Sequence, residues 1–215
     1  MNDTKKEGAN QSQDQAAMSK EQKHIERQKK IKANVDKRVA QAAEERGVFL
    51  VITGNGKGKS TSGFGTVLRA IGHGQKAGVV QFIKGTHWEC GEMNILKQFS
   101  VQHHVMGTGF TWETQNSETD KAAAKVAGEK SKAMLADESI NIVLLDEMTY
   151  IVKYGYIDLD EVIEAINNRP KMQNVIITGR ACQRSLIELA DTVSEVQPIK
   201  HAFDAGIKAQ KGLDW

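Results

Sequence analysis

Gly54-Asn55-Gly56-Lys57-Gly58-Lys59-Ser60-Thr61 follows the apolar run 48–53 and precedes a stretch of helical composition from about residue 59. A strand, a glycine-rich turn and a helix start, in that order, let successive backbone N–H groups converge on phosphate oxygens. Lys59 stands where an ammonium reaches the terminal phosphates, and Ser60 where a hydroxyl ligates Mg²⁺. The usual loop has four residues between its first glycine and the Gly-Lys pair. Here that first position is Thr53 and the glycine comes one residue later, at Gly54, so the loop is a tightened variant. A merely flexible Gly/Lys turn is the bland alternative, and the flanking strand and helix argue against it. Residues 54–61 therefore read as a site for a nucleoside triphosphate.

A second element fits the same site. Ile140-Asn-Ile-Val-Leu-Leu-Asp-Glu147 is a buried strand that ends in two carboxylates. In an open α/β sheet, ligands bind beyond the carboxyl ends of the strands. Asp146 and Glu147 would then supply, with Ser60, the oxygen ligands of Mg²⁺, one holding the metal or its water and the other anchoring the loop. Spacing does not say which does which. Acidic residues also end strands for no chemical reason, so the pair gains its meaning from the phosphate loop.

Other nucleotide chemistries leave marks that this chain lacks. It has no Asn-Lys-x-Asp to read guanine, no LSGGQ-like transporter signature and no protein-kinase signature set. It also lacks the Asp-x-His-x-x-Gly by which some corrinoid proteins place histidine on cobalt. His103 and His104 are adjacent on a candidate strand and point to opposite faces, a poor chelating pair.

The elements that must position these groups are legible as well. Apolar β-rich runs recur at 48–53, 78–83, 101–106, 140–145, 175–178 and, more weakly, 192–196, with amphipathic stretches at 60–71, 119–136, 159–167 and 183–190. Runs apolar at successive positions are buried on both faces. They predict an α/β fold: a mainly parallel, roughly six-stranded P-loop (RecA-like) sheet with helices on both faces, over residues 47–215. Residues 1–22 are polar and glutamine-rich and read as a disordered tail. Residues 23–46 read as a basic helix whose Ile31, Val35, Val39 and Ala42 share one face, either solvated or docked.

A chain of 215 residues with net charge +2 is too mildly basic to argue for nucleic acid. Cys90 and Cys182 stand far apart, with no CxxC pair, which suits a reducing compartment rather than a disulfide framework. No run is long and apolar enough to span a bilayer, and no signal-peptide core opens the chain. The expectation is a cytoplasmic protein without nucleic-acid or membrane partners.

Between Met106 and Ser117 lies a glycine-flanked, non-periodic stretch with two bulky aromatics, Phe110 and Trp112. On residue chemistry alone it is either a ligand-facing loop or a plug for the core. At this point the chain resembles a known family. Gly54-Asn-Gly-Lys-Gly-Lys-Ser60, Val80-Gln-Phe-Ile-Lys-Gly85, Gly109-Phe-Thr-Trp112, Leu144-Leu-Asp-Glu147, Ile177-Thr-Gly-Arg180 and His201-Ala-Phe-Asp-Ala-Gly206 together resemble the phosphate-loop ATP:corrinoid adenosyltransferases of cobalamin synthesis and salvage. The likeness runs in order over about residues 24–215.

The resemblance implies transfer of the 5′-deoxyadenosyl group of ATP to a Co(I) corrinoid, cobalamin or a cobyrinic acid derivative, with release of triphosphate. It implies that Gly54 to Ser60 hold the triphosphate, that Ser60 and Glu147 help place Mg²⁺, and that Phe110 and Trp112 exclude the lower axial ligand of cobalt. It also implies a homodimer, a reduced flavodoxin-type electron donor, and an N-terminal helix that closes over the corrinoid. Ser60 replaces the more usual threonine and keeps the hydroxyl, whereas residues 87–97, Cys90 included, depart from the family form and receive no role. Two other readings compete: a phosphate-loop ATPase or small-molecule kinase, and a nucleotide-gated binding module using the basic helix. Acidic residues interspersed through 20–46 count against the second.

Overall fold

The computed structural model describes residues 4–85, 90–107 and 117–215, with the side chains of residues 4–18 and 117 excepted. The chain divides into two units, Met1–Glu45 and Arg46–Trp215. The first is a single helix, α1 (Thr4–Gln41). It starts inside the stretch expected to be a disordered tail and stops short of residue 46. Lack of apolar anchors excludes a core but not a helix, and the Ala, Gln, Glu and Lys that fill this segment are good helix formers. Ile31, Val35 and Val39 are exposed on it, and Ala42 falls just beyond its end.

In the second unit the chain runs β1 (Phe49–Thr53), α2 (Lys59–Gly72), β2 (Ala77–Gly85), α3 (Gly91–Leu96), a 3₁₀ turn, β3 (Gln102–Gly107), α4 (Ser117–Ala136), β4 (Ile142–Asp146), α5 (Met148–Lys153), α6 (Leu159–Asn167), β5 (Asn174–Thr178), α7 (Arg184–Leu189) and β6 (Thr192–Glu195). The six strands form one sheet in the order β3-β2-β4-β5-β1-β6. Every pairing is parallel, as the doubly buried runs required. All six expected strands and the four expected helices of this unit are present within a residue or two of the expected ends. The six-residue helices α3 and α5 are additional to these.

Side chains alternate along the inner strands between two apolar layers. Val80, Val143, Leu145, Val175 and Ile177 enter one, filled from the helix side by Ala127 and Leu135 of α4, Ile151 of α5, Ile166 of α6 and Leu186 of α7. Val79, Ile142, Leu144 and Ile176 enter the other, with Phe64 and Val67 of α2 and Met93 and Leu96 of α3. With both faces covered, the strands leave only their ends for function. At the opposite end of the sheet Asp191 accepts the Phe49 N–H at 2.8 Å and a two-pronged pair from Arg46, which anchors the start of β1. That guanidinium holds the Asp191 carboxyl down to about 2.

Candidate active site

The site lies where three strands end side by side. Ile52 is in register with Thr178 and Leu145 with Ile177, so the ends of β1, β5 and β4 form a row, with Asp146 beside Gln81 of the longer β2. The phosphate loop leaves β1 there and the carboxylates leave β4, with β5 between the two strands.

Close contact dictates the first two glycines of the loop. Gly54 has φ +99°, and a Cβ there would stand 2.4 Å from the Val196 carbonyl oxygen. Gly56 donates its N–H to that same oxygen at 2.7 Å. The strand end β6 and the residues after it thus press the loop from one side, which is why a larger residue at 54 does not fit. Gly58, left-handed at φ 112°, precedes the first turn of α2. Lys59 opens that helix and is only 6% exposed. Its ammonium donates to the Gly56 carbonyl at 2.8 Å, folding back over the loop. Burial lowers its pKa and Arg180 adds to this, while Glu147 and Asp146 pull the other way.

The two carboxylates are distinct in the structure, although spacing left them equivalent. Asp146 is fully buried and accepts the Thr178 hydroxyl at 2.7 Å on Oδ1. The same Thr178 oxygen accepts the Glu147 N–H at 2.9 Å. Glu147 lines the pocket and has left-handed backbone geometry, φ 60°, just before α5. Asp146 Oδ2 and Glu147 Oε2 are both buried without a hydrogen-bond partner. Burial, and then the neighbouring Asp146 charge, push the Glu147 carboxyl up to about 7, against Lys59, Lys84 and Arg180. Two orphaned carboxylate oxygens next to a hydroxyl-bearing loop are a donor set suited to a hard divalent cation.

A pocket of about 360 Å³ joins these groups. Gly56 to Thr61 form one wall, and Glu147, Tyr150 and Arg180 another. Phe82, Ile83, Cys90 and Glu92 bound it further, and His201, Asp214 and Trp215 reach it from the end of the chain. Gly54 and Asn55 of the expected ligand loop, and Asp146, stand outside this lining. Phe110 and Trp112 lie outside the described residues. Two non-glycine lining residues, Ile83 and Glu147, have positive φ, and Ala181 beside Arg180 is a third such residue; β-branched Ile83 coincides with a register shift in β2. Such strain persists only where surrounding structure enforces it, and it collects at functional sites.

Several site residues were not assigned from sequence. Thr178 and Arg180 sit in one of the resembling motifs, Ile177–Arg180, but nothing in that motif told of a hydroxyl shared between the Asp146 carboxylate and the Glu147 N–H. Thr149, donating to the Arg180 carbonyl at 2.8 Å, and Asp214 carried no signal at all. Cys90 donates its thiol to Glu92 at 3.1 Å. Burial and that bond push the thiol up, which keeps it protonated and unsuited to nucleophilic work.

A parallel sheet with a phosphate loop after an inner strand and carboxylates at the end of another defines a phosphate-loop nucleotide-binding protein. Within that class, the chain matches the family described as ATP:corrinoid adenosyltransferase BtuR/CobO/CobP over residues 45–215 and belongs to it. It is 58% identical over 195 residues to the corrinoid adenosyltransferase of Escherichia coli (strain K12), covering 91% of this chain and 99% of the relative. The corrinoid adenosyltransferase CobA of Salmonella typhimurium (strain LT2) shows the same identity and coverage. The Pseudomonas aeruginosa corrinoid adenosyltransferase is 52% identical over 198 residues, covering 91% and 97%. Among the described residues no helix is long and apolar enough to cross a membrane.

Proposed function

We propose that this adenosyltransferase works by holding the triphosphate of ATP in the 54–61 loop while the cobalt of a reduced corrinoid attacks C5′. The electron pair of Co(I) forms the Co–C5′ bond, the C5′–O bond breaks, and its electrons leave with inorganic triphosphate. Co(I) is itself a strong nucleophile, so the protein has no need to generate one. Its task is alignment, together with stabilisation of charge on the departing oxygens. Lys59 does the second, because an ammonium whose charge is disfavoured by burial gains most from an arriving anion.

Ser60 and Glu147 would hold Mg²⁺, with Asp146 behind them, kept in place by Thr178. The bound metal would neutralise charge on the phosphates. The observation that carries this reading is the meeting of Lys59 and the partnerless Glu147 Oε2 on one pocket. Phe110 and Trp112 face the corrin and displace its lower ligand, and the exposed apolar stripe of α1 covers the corrinoid. A reduced flavodoxin-type protein supplies the electron, and the enzyme is a cytoplasmic homodimer.

Incubation with ATP, Mg²⁺ and chemically reduced cobalamin tests the reaction directly. The cobalt spectrum should shift to that of the alkylated corrinoid as triphosphate accumulates. ADP as the product would instead point to a kinase or ATPase.

A further inference from the structure

Of the two lysines in the phosphate loop, one already carries a protein anion. Asp214 Oδ1 lies 2.8 Å from Lys57 Nζ, in the pocket lining. The carboxylate is held there by its own turn. Gln210 N–H donates to Asp214 Oδ2 at 2.7 Å, and the Asp214 N–H returns to the Gln210 carbonyl at 2.8 Å. The Gly212 N–H closes the same turn on the Trp215 carbonyl at 2.9 Å. Lys59, in contrast, spends its donor on a loop carbonyl. The loop thus has one cation reserved and one occupied by a carboxylate that a phosphate could replace.

We propose that Asp214 competes with the triphosphate for Lys57, loosening the loop's hold on that anion and so speeding its departure as product. The inference rests on the adenosyl-transfer reading above. A site that stabilises charge on a leaving group risks being trapped by that group once the bond is broken. Recapture of Lys57 by Asp214 relieves the trap without touching Lys59, whose charge serves the transition state. Two effects act in one direction: Asp214 withholds a cation from the phosphates, and its own charge repels them. Its carboxyl is held low, first by the Lys57 hydrogen bond, so the carboxylate is charged at neutral pH. Both partners are partly open to solvent, with 41% and 25% of the side-chain surface exposed, so the effect is modest, up to about fivefold in affinity.

Calorimetric titration of the full chain with inorganic triphosphate, and with ATP, decides it. Wild type, Asp214→Asn, Lys57→Ala, the double variant and Lys59→Ala are compared. Asp214→Asn should bind triphosphate about two- to fivefold more tightly, and triphosphate should become a correspondingly stronger product inhibitor. In the Lys57→Ala background the same substitution should gain little, because the competition is gone. Unchanged or weaker binding by Asp214→Asn, or an equal gain without Lys57, would overturn the inference while leaving the transfer reading intact. Triphosphate binding indifferent to Lys59→Ala would overturn the site reading and the inference with it.

Discussion

Thr178 Oγ1 donates to Asp146 Oδ1 at 2.7 Å while accepting the Glu147 N–H at 2.9 Å. One hydroxyl at the end of β5 therefore orients both acidic residues that end β4, and it does so from the strand that separates β4 from the phosphate loop. The bond also gives a fully buried carboxylate one of its partners and keeps Glu147 in its left-handed conformation.

Thr178→Val should consequently be costly although it conserves shape. It removes the donor to Asp146 and leaves the Glu147 N–H unpaired, at about 1–3 kcal/mol for an unsatisfied buried group. Thermal unfolding should fall by roughly 2–10 °C, and adenosyl transfer should drop with it. Thr178→Ser, which keeps the hydroxyl, should recover most of both; equal damage in the two variants would deny the hydroxyl this role.

Lys59→Ala should abolish most turnover even with Co(I) supplied chemically. Loss of its charge on the departing triphosphate would amount to about 3 kcal/mol or more of transition-state stabilisation. Steady-state kinetics against ATP is the check, and a near-normal kcat and KM would remove Lys59 from the mechanism.

Glu147 gives the metal-free protein a pH signature. Its folded-state value of about 7 lies above the usual carboxylate value, so the folded state binds the extra proton. The stability from that proton is complete below about pH 4.5 and disappears as pH rises through about 7. Denaturant titrations with a chelator present should show this decline, and Glu147→Gln should flatten it. Mg²⁺ favours the ionised carboxylate, so its apparent affinity should increase over the same pH range in wild type. A Mg²⁺ titration that Glu147→Gln leaves unaltered would show that the residue merely ends a strand.

The role proposed for Phe110 and Trp112 predicts that two steps can be separated by substitution. Alanine at either position should cripple activity that starts from Co(II) with a biological reductant, yet preserve much more when Co(I) is supplied, because the ATP half is untouched. Equal losses in both assays together with a lowered melting temperature would make the rings a core plug. Full activity in both would remove the loop from the mechanism.

Local chemistry was enough to determine much of this protein. Short runs at 78–83, 140–145 and 175–178, apolar at successive positions and separated by amphipathic stretches, specify parallel strands buried on both faces, because a run with no polar side must be covered on both. The loop at 54–61 and the acidic pair 146–147 announce themselves through residue type and their place after a strand. What sequence could not separate was Asp146 from Glu147, since neighbours at the end of one strand differ only in what lies across from them. The interposed β5 resolves them: Thr178 holds Asp146 in the buried layer, while Glu147 turns into the pocket at φ 60°. Nor could spacing explain the tightened loop, whose Gly54 is dictated by a carbonyl of residue 196, or reveal that Asp214 reaches Lys57. Those pairings span more than a hundred residues of chain, and only the closing of the sheet brings such distant groups within reach of a hydrogen bond.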